Sequence, residues 1–88
     1  MPVTVVASAT SSTQLLPADS NRSSVIISND DPNRLFVLLD DATVSTSSYS
    51  FSLGQYENAR LIGAEAQGRI MGIWAADGAG NAYVTTRS

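Results

Sequence analysis

The sequence predicts an all-β fold, a small antiparallel β-sandwich of jelly-roll-like form built from about six to eight short strands. Three observations predict it. Apolar and β-branched runs of strand length recur along the chain. Turn-forming residues interrupt them every eight to twelve residues or so, the rhythm of sandwiches and small barrels. No segment keeps a helical period over the roughly three turns of an average helix.

Taken in order, the first segment is rich in Ser, Thr and Ala, with "TVV" at Thr4 to Val6 and "LLP" at Leu15 to Pro17. Residues 1–14 read as a flexible arm or an edge strand, and residues 15–88 as the sandwich domain. "SVIIS" and "RLFVLL" are two strands, and "NDDPN" between them supplies the Asn, Asp and Pro of a hairpin turn. "SYSFSL" alternates, setting Tyr49, Phe51 and Leu53 on one face and serines on the other. Gly54-Gln55 permits a tight reversal into "YENARLIG". "AEAQ" lies between Gly63 and Gly68, too tightly bracketed for a helix of ordinary length, so no helix is expected.

The last pair is "RIMGIWA" and "NAYVTT", joined by "DGAG" as a hairpin turn. Ile70, Gly72 and Trp74 project to one side, Met71, Ile73 and Ala75 to the other. A strand apolar on both faces is interior, or is covered on its outer side by a partner. Gly72 leaves room there for a neighbouring ring or backbone.

Composition bounds the function. A single domain of 88 residues buries only about 60 to 65% of its unfolded surface, so its core is thin and outside reinforcement is expected. With no Cys and no His, disulfides and the softer metal ligands are excluded, which favours self-association or docking on a larger body. Net charge is −3 and the five positive residues are all arginines, spread along the chain. That argues against nucleic acid as a partner. The opening residues carry no basic region before an apolar run, and no apolar stretch approaches the roughly 20 residues of a membrane helix. A soluble protein without a standard secretion signal is expected.

Catalytic arrangements lack parts. The serines have neither an imidazole nor a lysine to activate them. Asp30-Asp31 and Asp40-Asp41 are adjacent pairs in turns, not two acids facing each other across a sugar cleft, and read as solvated turn acids. Calcium on Asp30, Asp31 and nearby carbonyls is the metal reading that oxygen ligands alone allow, but no metal or cofactor is assigned. "DGAGN" lacks the lysine and following helix of a phosphate loop. "NRS" at Asn21 matches a glycosylation acceptor without the secretory context. Trp74, Tyr49, Tyr56 and Tyr83 could line an aromatic platform for sugars; for Trp74 core packing is the favoured reading, with a subunit contact and a ligand face as the alternatives.

The stretches "NRSSVIISNDDPNRLFVLLDD" and "GIWAADGAGNAYVT" resemble, in content and order, the small β-sandwich virion proteins of tailed bacteriophages. The matching elements are Asn21-Arg22, Ile26, Asn29-Asp30, Leu35 to Leu39, Gly72 to Trp74 and Gly80 to Thr85, about three quarters of the chain. Asp40 and Asp41 stand where such proteins commonly have a glycine, and the bend near Tyr56 is shorter than theirs. The resemblance implies a non-enzymatic virion protein, made in the host cytoplasm and carried on the capsid surface. Its role would be decoration or cement, binding the major capsid protein and forming a dimer or trimer with itself. A tail, neck or head-tail connector subunit and a host- or glycan-binding module on a fibre are the alternatives. Arg and large aromatics are the side chains enriched at protein interfaces, which makes Arg22, Arg34, Arg60, Trp74 and Tyr56 the interface candidates.

Overall fold

A computed structural model describes residues 3–39, 45, 47–76, 78 and 80–87. The strands are β1 (Val3–Ala7), β2 (Thr13–Leu16), β3 (Ser24–Asp30), β4 (Leu35–Leu38), β5 (Phe51–Leu53), β6 (Asn58–Ile62), β7 (Ile70–Trp74) and β8 (Asn81–Arg87), with one helical turn, α1 (Ala64–Gln67), between β6 and β7. They form two four-stranded antiparallel sheets, ordered β1-β8-β3-β6 and β2-β7-β4-β5. The pairs β1·β8, β2·β7, β3·β6 and β4·β5 are those of one long hairpin doubled on itself. Rolling that ribbon brings β8 against β3 and β7 against β4. This is the jelly roll, so the expected fold class is the observed one.

The expected local pairings are not. β3 and β4, β5 and β6, and β7 and β8 lie in opposite sheets, so the three predicted hairpins are corners over one end of the sandwich. Only β4 and β5 are consecutive and paired. Turn residues report a reversal of chain direction, not the plane in which it happens. Four residues separate β3 from β4, and such a link can reach about 13 Å, enough to cross the roughly 10 Å between packed sheets. The first fourteen residues likewise divide between sheets, with β1 an ordered edge strand against β8 and β2 against β7. Tyr49 does not share a face with Phe51 and Leu53. Its ring stacks at 60° and 4.8 Å on Phe36, which points away from the core.

The core lies between the sheets. Val25, Ile27, Val84 and Ala82 from one sheet meet Leu35, Val37, Ile70 and Trp74 from the other, all essentially excluded from solvent. A bulge between Gln14 and Leu16 turns two consecutive leucines, Leu15 and Leu16, into the same core. Leu15 fills the space above Gly72, where an added Cβ would lie 3.0 Å from its side chain. The neighbour that Gly72 admits is therefore an aliphatic side chain. Trp74, the largest core residue, donates its indole N–H to Asn29 Oδ1 at 3.0 Å.

A helical turn forms despite the bracketing glycines. Gly63 takes φ 64°, which redirects the chain out of β6, and Ala66 N–H bonds Gly63 O at 3.0 Å. The carbonyls at its far end are then satisfied by a buried arginine. Arg22 Nε donates to Ala66 O, and Arg22 Nη2 donates to Gly68 O and Pro17 O, both at 3.0 Å. One guanidinium thus ties the β2–β3 and β6–β7 connections together.

Two substitutions separate the packing of Trp74 from its hydrogen bond. Trp74→Phe keeps most of the apolar contact but leaves Asn29 Oδ1 buried without that donor, and should cost about 1 to 3 kcal/mol in urea unfolding. Trp74→Ala should cost about 3 to 5 kcal/mol. Equal stability of the Phe variant and the parent would mean that the bond contributes nothing.

Candidate docking surface

The two sheets present different outer faces. On the β2-β7-β4-β5 sheet, Met71 and Ile73 point outward yet are buried, packed with Phe36 and Leu38. This face packs these four side chains together and leaves Tyr49, against Phe36, 44% exposed. On the β1-β8-β3-β6 sheet the register lines up Val5, Tyr83, Ser28 and Asn58 in one outward row, and Val3, Thr85, Ile26 and Arg60 in the next. Beyond them lie Arg87, Ser24 and Ile62. Val3, Val5, Ile62 and Tyr83 are 54, 55, 61 and 37% exposed. The result is an open, gently polar apolar face whose charged groups are Arg60 and Arg87 at one end and Asp30 at the other. Contiguous exposed apolar surface of this kind marks interaction sites.

The corners at the Asp30 end are held by two buried side chains that the turn composition conceals. Asn29 Nδ2 donates to Asn33 O, Leu53 O and Gly54 O at 2.9 to 3.2 Å. Asp31 is fully buried and not a solvated turn acid. Its carboxylate accepts the Asn33 N–H at 2.8 Å, the Asn33 amide at 3.0 Å and the Gly80 N–H at 3.1 Å. Burial acts on this carboxyl most strongly and pushes its pKa up. Hydrogen bonds from the Asn33 backbone, the Ser8 hydroxyl, the Asn33 side chain and the Gly80 backbone together outweigh it and hold the pKa below the ordinary value. Gly80 is required there, because a Cβ would sit 2.7 Å from Asp31 Cα.

Lone pairs that would have bound calcium are thus engaged by N–H donors. Among the described residues no group of three or more acidic side chains could hold a metal ion. Asp40, Asp41 and Asp77 lie outside the described residues.

The five interface candidates do not converge. Arg22 and Trp74 are inside, 4 and 1% exposed, with Arg22 Nε and Nη2 and the Trp74 indole N–H spent on internal bonds. The folded chain does not present them to a partner. Arg60 is exposed on the open face. Arg34 and Tyr56 are exposed at the corners, where Arg34 Nη1 donates to Ser52 Oγ at 2.9 Å. Tyr56 sits at φ 64°, in the left-handed region that a bulky residue rarely adopts, and is 74% exposed. Its N–H bonds Asn29 O at 2.7 Å, and the Asn29 N–H returns to Glu57 O at 3.0 Å, which fixes the turn. Composition missed Val3, Val5 and Ile62, and offered Tyr83 as an aromatic candidate without placing it on this face. The signal that could have found them is the alternation of "VTV" against "YVT", which has meaning only once β1 and β8 are known to pair.

No family model, curated protein or solved structure matches this chain.

The Asp31 cluster makes acid stability testable. A carboxyl with a lowered folded pKa contributes stability that is fully present above its unfolded value, about 3.9, and is lost as pH falls through the folded value. The parent should therefore lose part of its thermal stability below about pH 4 through this group. Asp31→Ala should cost about 1 to 3 kcal/mol at neutral pH and flatten the acid slope. An unchanged slope would mean that Asp31 does not carry it.

Proposed function

We propose that this protein is a non-enzymatic virion protein of a tailed bacteriophage, a capsid decoration or cement subunit that lays its open β1-β8-β3-β6 face on the major capsid protein lattice. The observation that carries this reading is the asymmetry of the sandwich. One outer face packs Met71, Ile73, Phe36 and Leu38 together, with Tyr49 exposed against Phe36, while the other leaves Val3, Val5, Ile62 and Tyr83 in water. Jelly rolls recur among viral structural domains but also among lectins and enzymes, so topology alone assigns no role. The ordered resemblance of the two long stretches to phage virion proteins supports the same reading.

The physics suits a small domain. A subunit that binds the assembled shell and not its dissociated parts stabilises the shell by linkage, at every occupied site. A modest footprint suffices, because the contacts repeat over the lattice. The face is mainly uncharged, with Arg60 and Arg87 at one end, so moderate salt should weaken attachment only in part. The glycan-binding alternative loses its strongest platform, since Trp74 is in the core. The connector alternative differs in the symmetry and number of its neighbours, and copy number per particle separates it from cement.

Particles lacking the protein should disrupt at a lower temperature, and purified protein should restore them in a saturable manner. Ile62→Asp, at an exposed position on the open face, should abolish restoration while the isolated variant stays folded. Equal robustness of deficient particles, or a location confined to the tail, would overturn the cement reading.

A further inference from the structure

Each sheet has two edge strands, and three of the four edges carry a feature that limits pairing with another chain. β2 is four residues long and broken by a bulge. β5 has only three residues. β6 carries Arg60 and runs at once into Gly63 and α1. Short edges, bulges and charged side chains are the usual protections against edge-to-edge association. β1 has none of them. Its sequence is "VTVVA", without charge or proline, and all five residues keep an unbroken antiparallel register with β8. Its other side is the end of the sheet.

We infer that β1 is a homodimerisation edge, pairing antiparallel with β1 of a second copy about a twofold axis at Val5. The strand is self-complementary in that register. Val5 meets Val5, Val3 meets Ala7 and Thr4 meets Val6, so outward residues meet outward residues and inward meet inward. A shift by one residue would break that match. No like charges face each other, which removes the main obstacle to pairing identical strands. A twofold contact of this kind uses the same patch on both copies and closes.

The joined sheet would have eight strands, with Tyr83 and Val5 of one copy continuing into Val5 and Tyr83 of the other on the open face. Five residues of strand are a small interface, so the dimer should form at high concentration and dissociate on dilution. Its formation does not depend on what the open face binds, and the test uses the isolated protein alone.

Sedimentation velocity from low micromolar to millimolar concentration should show a monomer giving way to a dimer, with little effect of salt. Val5→Lys and Val5→Glu change an exposed side chain, so both should melt near the parent while remaining monomeric. Mixing the two should restore a heterodimer, because Lys and Glu then face each other across the axis. In this cysteine-free chain, Val5→Cys should oxidise to a disulfide-linked pair, whereas Ile62→Cys should not. A parent that stays monomeric at millimolar concentration, or an oligomer indifferent to Val5→Lys, would overturn the inference. Folded Lys and Glu variants that fail to associate on mixing would do the same.

Discussion

The carboxamide of Asn29 is the constraint on which the architecture rests. A fully buried indole N–H needs an acceptor, and Asn29 Oδ1 supplies it to Trp74. With the oxygen so committed, the two amide protons must go to acceptors, and the three carbonyls beside Nδ2 are acceptors only. Turning the amide over would set its N–H groups against the indole N–H and its oxygen against carbonyls, so the orientation is unique. One side chain on β3 thereby fixes the end of β7, the turn after β5 and the corner into β4. Asp31, two residues on, draws the start of β8 into the same cluster through Gly80. At the opposite end Arg22 does the corresponding work on the β2–β3 and β6–β7 connections. A thin hydrophobic core closed by satisfied polar clusters keeps the jelly roll's corners from opening.

Fold class was legible in the sequence because it depends on local quantities, namely strand-length apolar runs, alternation and the spacing of turns. Ile70 and Trp74 do face the core, and Met71 and Ile73 do face away from it, as alternation required. Pairing was not legible, since it is set by residues distant in the chain. "NDDPN" looks the same whether its strands share a sheet or face each other across the core. The polar clusters were hidden for a related reason. Asn29, Asp31 and Arg22 belong to residue types that are usually exposed, and only tertiary contacts reveal that they are spent inside. The same misreading placed Arg22 among surface contacts. Tyr56, Arg34 and Arg60 lie exposed, and Arg34 bonds Ser52 Oγ at the surface.

The open face has a consistent physical origin. A chain of this size has too few apolar residues to fill a core and also cover both outer faces. The β2-β7-β4-β5 sheet spends Met71, Ile73, Phe36 and Leu38 on its own outer side. The β1-β8-β3-β6 sheet leaves β-branched residues on its outer side, where they support strand geometry but remain in contact with water. Such a face is a standing cost that docking would relieve. On the proposed reading, a lattice-binding role and a thin core would be two expressions of one composition, with stability completed by the partner.

The open face and the open edge are perpendicular features of the same sheet, so occupation of one leaves the other free. Face docking buries side chains that point along the sheet normal, whereas edge pairing uses main-chain groups lying in the sheet plane. A pair of chains joined at β1 would offer its two faces side by side in one curved surface. If the first copy were seated on a repeating lattice, the second would bind at an effective concentration set by their junction. The gain requires the lattice spacing to match the offset between the paired sheets, and it vanishes where it does not. Edge pairing would thus add to affinity and also select among the positions on a shell, with no further contact between this protein and its support.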